Sequence, residues 1–136
     1  MTRRRVREIA ASLFCVGSLI FLVVRDLTLP EVRDVEVWLG IEVRGAWARW
    51  TAPLHWALFA VGAWAFAKAK PWIWQAAATY LVYVAFSHLV WNLSSPTGGG
   101  WLHGLWQLTL FAAIGVLLAR EARTRDAKEG LGTSDR

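Results

Sequence analysis

The chain has few of the residues that build catalytic, metal or disulfide centres. A single cysteine among 136 residues excludes an internal disulfide and a zinc site with two cysteine ligands. The apolar blocks contain no Asp or Glu beyond Glu8, at the edge of the first block. Proton relays and ion pumps of the carboxylate type are therefore disfavoured. The sequence also lacks a glycine-rich phosphate loop and a nucleophile elbow.

Apolar and aromatic residues dominate what is present. Hydrophobic residues make up 56% of the chain, ten residues are tryptophan, and the mean hydropathy is +0.36. The apolar residues form four blocks that are separated by charged or Gly/Pro-rich segments. This pattern is typical of a polytopic membrane protein, and tryptophan favours the interface between membrane and water. We therefore expect a tryptophan-rich protein whose main partner is the lipid bilayer.

The four blocks predict an all-α fold, an integral membrane four-helix bundle formed by a single domain. We place the transmembrane helices between the breaks, at 8–25, 51–67, 71–93 and 101–119. The remaining segments are an outer connector at 26–50, an outer loop at 94–100 and a cytoplasmic tail at 120–136. No small-x-small cleavage site follows the first block, so we expect an uncleaved helix rather than a signal peptide.

The distribution of Lys and Arg predicts the orientation. Four arginines lie in the first seven residues, Lys68 and Lys70 separate the second and third helices, and five basic residues lie in 120–136. The 94–100 loop has none, and the three arginines of the connector are offset by five acids. The positive-inside rule then places both termini in the cytoplasm. We expect the protein in the inner membrane. The basic residues form no stripe for nucleic acid, despite a pI near 10.1.

Within the connector, the sequence predicts a short amphipathic helix over 30–39. Pro30 and Glu31 suit the first turn of a helix, and Gly40 suits its end. Four apolar residues recur at helical spacing between them, namely Val32, Val35, Trp38 and Leu39. We expect this helix to lie on the membrane surface or to pack onto the bundle.

The three histidines are the main candidates for a binding site. His55 and His88 lie at similar depths in the outer half, and both are predicted to face the bundle interior. Asn92 lies on the same face as His88, whereas the position of His103 is less defined. One interpretation is interhelical hydrogen bonding. The other is an outward-facing site, either at His55, His88 and Asn92 for a haem or a quinone, or at two or three of the histidines for a metal ion.

Two further groups of residues allow two interpretations each. The charged residues Glu36, Glu42, Arg44 and Arg49 form either a solvated outer loop or a gate above the histidines. The tryptophans concentrate at the outer side, which indicates an aromatic belt, an aromatic-lined cavity or a docking surface for another subunit. Cys15 lies within an apolar stripe, and we expect it to act as a small packing residue.

The segment Tyr80-Leu-Val-Tyr-Val-Ala-Phe-Ser-His-Leu-Val-Trp-Asn-Leu resembles the third helix of DoxX-like small four-helix bacterial membrane proteins. The likeness covers residues 71–119, where an aromatic–His–Leu–Val run is followed by a short polar turn and a last helix. The resemblance implies a fold and a membrane location. It carries no activity and no site residues.

These patterns favour a non-enzymatic role. We expect an accessory or scaffold subunit of a larger inner-membrane complex, partnered by another membrane protein or by further copies of itself. The alternative is a binding protein for haem, quinone or another lipophilic ligand at His55 and His88. A third interpretation is a membrane enzyme that uses these histidines for acid–base chemistry.

Overall fold

The computed structural model describes residues 2–29 and 34–131, with side chains up to residue 125 in the last helix. The described residues are mostly helical, so the predicted all-α class is confirmed. In chain order the elements are α1 (Arg3–Thr28), β1 (Val35–Trp38), β2 (Ile41–Arg44), α2 (Ala46–Ala67), α3 (Ile73–Ser94) and α4 (Gly100–Leu131). By its contacts the chain divides into two compact units.

Three of the helices are long and apolar enough to cross a membrane. They are Arg3–Thr28, Ile73–Ser94 and the Gly100–Arg125 part of α4. This finding supports a membrane protein. The 22-residue helix α2 is not among the three.

Helix α1 extends beyond the predicted bounds of 8–25 at both ends. It begins at Arg3 because Thr2 caps it, accepting a hydrogen bond from the backbone N–H of Arg5 at 3.3 Å. It ends at Thr28. With 26 residues it is about 39 Å long, more than the hydrocarbon core of about 30 Å requires.

The first unit, residues up to Trp38 together with Glu42–Lys70, is built on the pairing of α1 with α2. Small residues allow the two backbones to approach closely. Ser12 donates a hydrogen bond to the carbonyl of Ala63 at 2.9 Å. A Cβ at Gly62 would lie 3.2 Å from the Sγ of Cys15, so the buried thiol occupies the space that this glycine leaves.

The second unit contains α3, α4 and the segment Leu39–Ile41. Glycines of α4 lie directly against α3. A Cβ at Gly104 would approach a methyl carbon of Leu89 to 2.9 Å, and one at Gly115 would lie 3.4 Å from the carbonyl of Ala78. Both helices therefore pack with little space between their backbones.

The predicted amphipathic helix over 30–39 is wrong where the structure describes it. Residues 35–38 form a strand that pairs with 41–44 in a two-stranded sheet, and residues 30–33 lie outside the described part of the chain. The turn consists of Leu39 and Gly40, with φ of 52° and 81°. Two successive residues with positive φ are the signature of a tight turn between antiparallel strands, and they do not continue a helix.

Two contacts in the second unit hold the tip of the hairpin. The backbone N–H of Leu39 donates to the hydroxyl of Tyr83 at 3.1 Å. The Cα of Gly40 faces the backbone of Ser87 and the side chain of Val90, and a Cβ at this position would lie 2.6 Å from the Ser87 carbonyl oxygen. A helix over these residues would not allow this approach.

Candidate functional site

A cluster of charged and aromatic side chains in the first unit lies at the end of α1, in β1 and in the first half of α2. We call it the His55 cluster. Its members are Arg25, Asp26, Glu36, Trp38, His55 and Trp56. Two come from α1, two from β1 and two from α2. The hairpin is therefore required to assemble it.

Glu36 connects two other members of the cluster. Its side chain is only 5% exposed. One carboxylate oxygen accepts a hydrogen bond from Nη2 of Arg25 at 3.1 Å, and the other lies 2.9 Å from Nδ1 of His55. A buried carboxylate is costly without such partners, so Glu36 ties the hairpin to both helices of its unit.

Asp26 is paired in the same way. One of its oxygens lies 2.6 Å from Arg25, and the other accepts from the indole N–H of Trp56 at 2.8 Å. Together with Glu36, the cluster thus contains two buried carboxylates whose four oxygens all have partners. Neither acid has the free oxygen that a general base or an open metal site requires.

The imidazole of His55 is held in a defined orientation. Because a carboxylate only accepts, Nδ1 carries the proton that it shares with Glu36. The other nitrogen, Nε2, then carries the lone pair in the neutral ring. Trp38 stacks on the imidazole with a centroid distance of 4.1 Å and an interplanar angle of 5°. A carboxylate on one nitrogen and a lone pair on the other is the arrangement of many histidines that coordinate a metal ion.

Trp38 brings a second polar atom to the cluster. Its indole Nε1 is buried and makes no hydrogen bond to any residue within 2–29 or 34–131. Buried N–H groups normally have a partner, because desolvation without one is unfavourable. This donor, beside the His55 ring, is available to a ligand or a water molecule.

In the second unit, His88 and Asn92 lie one turn apart on α3. Nδ1 of His88 donates to the carbonyl of Val84 at 2.9 Å, and its ring packs against Phe111 with a centroid distance of 4.9 Å. Nε2 of His88 therefore also carries the lone pair in the neutral ring. His103 follows the same pattern, since its Nδ1 donates to the carbonyl of Gly99 at 3.1 Å.

Asn92 is used within its own unit. The side chain is buried, and its amide N–H groups donate to Oε1 of Gln107 and to the carbonyl of His88, both at 2.7 Å. Its amide oxygen accepts from the backbone N–H of Gly99 at 3.0 Å. Asn92 thus joins α3, α4 and the loop between them, and little hydrogen-bonding capacity remains for a ligand.

The structure places the predicted site residues in two groups. His55 lies in the first unit, and His88 and Asn92 lie in the second. The shared site of His55 and His88 stays a prediction. The charged group that the sequence indicated is divided: Glu36 is buried against His55, whereas Arg44 pairs with Glu42 on the surface. The interpretation as a solvated loop therefore fails for Glu36.

Sequence reasoning missed four members of the His55 cluster. The signal for two of them is the pair Arg25-Asp26 at the end of an apolar block, where buried charges need partners. Finding Trp38 required the hairpin, and finding Trp56 required the pairing of α1 with α2.

The described residues contain no group of three or more His, Cys, Asp or Glu side chains that could hold a metal ion. The chemistry of the His55 cluster is that of one oriented imidazole, one buried indole N–H and two paired carboxylates. Comparison with known proteins gives no family model, no curated protein and no solved structure that matches this chain.

Proposed function

We propose that this chain is a non-enzymatic integral membrane protein and an accessory or scaffold subunit of a larger inner-membrane complex. The observation that carries this proposal is that the rest of the chain buries only a small part of two apolar helices, α1 and α4. In the apolar stretch of α1 only 11% is buried, and the same share is buried in the apolar stretch of α4. Most of their surface is available to lipid or to a second membrane protein.

Exposed tryptophans support the same role. Trp47 and Trp50 at the start of α2, and Trp101 and Trp106 at the start of α4, are each more than half exposed. Tryptophan is enriched both at membrane interfaces and in the centres of protein interfaces. The polar side chains, in contrast, are largely paired with each other, which leaves more contact surface than chemistry.

We expect the protein to be recovered from its native membranes, in a mild detergent, with a second membrane protein in fixed stoichiometry. Native mass spectrometry of the complex measures this directly. Trp47→Ala combined with Trp50→Ala is expected to weaken the association by about tenfold or more, because interface tryptophans are frequent hot spots. Trp72→Ala, at the predicted cytoplasmic side, is the control. Recovery of a lone monomer in every mild detergent contradicts the proposal.

The proposed topology is a four-helix bundle with four spans and both termini in the cytoplasm. The test uses single cysteines at Lys68, Thr97 and Ser134, each in a Cys15→Ser background. We expect the cysteines at 68 and 134 to be labelled from the cytoplasmic side and the cysteine at 97 from the outer side. The basis is the Lys/Arg asymmetry. The Lys68→Cys variant tests α2, the helix that is not among the three candidate spans. If α2 does not cross, all three positions label from the opposite side. Labelling of Thr97→Cys and Ser134→Cys from one side rules out a crossing by α4.

A second candidate function is a binding protein for haem, quinone or another lipophilic ligand at an outward-facing site that includes His55 and His88. The supporting observation is that each ring donates through Nδ1, to Glu36 or to the Val84 carbonyl. Each therefore keeps a lone pair on Nε2. The optical spectrum of the purified protein separates these ligands, because bound haem gives a Soret band.

A further inference from the structure

We propose that the first unit binds a membrane hydroquinone, an amphiphile with a hydroxyl-bearing aromatic head and an apolar tail. The head donates a hydrogen bond to Nε2 of His55, and the tail lies in a groove along α1 and α2. This inference rests on the His55 part of the second candidate function: it names the ligand class and confines the site to the first unit, without His88.

The groove is apolar and has a volume of about 470 Å³. It is lined by Phe14, Gly17, Ser18, Phe21, Leu22 and Phe59. The rings of Phe14 and Phe21 are mostly exposed, so the groove is open along the side of α1. A volume of this size is within the range of ligand sites, and five of the six lining residues lie on α1, a helix apolar enough to cross a membrane. The occupant is therefore a hydrocarbon chain and not water.

The groove and the His55 cluster lie one helical turn apart on both helices. On α1, Leu22 in the groove lies one turn before Asp26 in the cluster. On α2, Phe59 lies one turn after His55. One helical turn is about 5–6 Å, less than the length of an aromatic head with its first tail carbons. A tail in the groove thus brings its head to His55.

The hydrogen-bonding pattern selects a head that donates. Nδ1 of His55 already donates to Glu36, so the neutral ring offers only the lone pair of Nε2. A phenolic O–H satisfies this nitrogen, whereas the carbonyl of an oxidised quinone does not. The unpaired indole N–H of Trp38, in the ring stacked on His55, provides a donor for a head-group oxygen.

The charge of the cluster excludes the ordinary anionic head groups of lipids. Arg25 contributes one positive charge, whereas Asp26 and Glu36 contribute two negative charges, so the sum is −1 with a neutral His55. A phosphate at this position would meet a net negative charge and offer no hydrogen to Nε2. A neutral hydroquinone meets neither obstacle.

The test is a titration of the purified chain in nanodiscs with 2,3-dimethoxy-5-methyl-6-decyl-benzohydroquinone, under anaerobic conditions, followed by tryptophan fluorescence. We expect saturable binding to one site. Gly17→Leu is expected to weaken the affinity by about tenfold or more, because its side chain fills the groove. A Cβ at Gly17 meets no atom within 4 Å, so the variant is expected to fold normally. Val16→Leu, outside the groove lining, is the matched control.

His55→Phe tests the hydrogen bond between the head group and His55 in the same titration. It is expected to weaken the hydroquinone about tenfold or more, and to leave the affinity for decylbenzene, which lacks hydroxyl groups, unchanged. His88→Phe, in the second unit, is expected to bind as the unmodified protein does. Circular dichroism and thermal unfolding verify that each variant is folded.

Four results overturn the inference: no saturation, unchanged affinity in Gly17→Leu, equal affinity for decylbenzene and the hydroquinone, or an effect of His88→Phe as large as that of His55→Phe. A Soret band in the purified protein also overturns it, but leaves the second candidate function intact. A chain that binds neither haem nor any quinone, hydroquinone or other lipophilic ligand contradicts both. Because the titration uses the isolated chain, it is independent of the accessory-subunit proposal.

Discussion

Replacement of Glu36 by alanine is expected to lower the free energy of unfolding by about 3 kcal/mol, at the lower end of the cost of breaking a buried ion pair. Glu36 is 5% exposed and bonds Arg25 at 3.1 Å and His55 at 2.9 Å. Its loss leaves the imidazole without its acceptor and opens a small cavity. The guanidinium of Arg25 keeps Asp26 at 2.6 Å, which limits the cost.

The same connector offers a matched control for this prediction. Asp34 and Arg49 form an ion pair at 2.8 Å, but the two side chains are 48% and 52% exposed. Solvent screens this pair, so Asp34→Ala is expected to change the stability by about 1 kcal/mol or less. Denaturant titration in detergent, monitored by tryptophan fluorescence, measures both variants. Equal effects of the two substitutions are incompatible with Glu36 as a buried link.

Much of the helical structure follows from composition. Runs of apolar residues between charged or glycine-rich breaks indicated the positions of the helices, because the length of such a run and its flanking charges are local properties. Helix α1 nevertheless starts at Arg3 rather than at residue 8. Arginine is a good helix former, so a cap at Thr2 allows the helix to continue beyond its apolar part.

The connector illustrates why a periodic pattern can mislead over a short segment. The apolar residues at 32, 35, 38 and 39 fit the spacing of a helix, but Val35 and Val37, followed by Ile41 and Val43, alternate as in two strands. Gly40 suits the end of a helix and equally the second position of a tight turn. The structure has the turn, and Leu39 donates to the hydroxyl of Tyr83, far away in the sequence. Local spacing alone does not predict that contact.

The site was only partly predictable for the same reason. His55 stood out because an imidazole in an apolar helix needs a partner. The partner is Glu36, nineteen residues earlier, and a helix over 30–39 does not bring these side chains together by any local rule. Trp38 was assigned to an apolar stripe, and its stacking on His55 depends on the strand. The chemistry was visible in the sequence, whereas the pairing was a property of the tertiary fold.

Gly40→Ala is expected to destabilise the protein by about 3 kcal/mol, the sum of two separate effects. The first is backbone strain, because φ at this residue is +81° and a Cβ in the left-handed region costs about 1–2 kcal/mol. The second is a collision: the new Cβ would lie 2.6 Å from the carbonyl oxygen of Ser87 and closer still to Val90. The carbonyl belongs to the backbone of α3, so it cannot move aside by changing a rotamer.

Gly100→Ala separates these two effects, because Gly100 has a φ of +71° and a Cβ there meets no atom within 4 Å. It lies in the same unit as Gly40 and carries the strain without the collision. We therefore expect a loss of about 1–2 kcal/mol for Gly100→Ala and a clearly larger one for Gly40→Ala. The measurement is again denaturant titration in detergent, supplemented by hydrogen exchange at the backbone N–H of Leu39. If both variants lose the same stability and Leu39 stays protected in Gly40→Ala, the hairpin tip does not pack against α3 as closely as the structure has it.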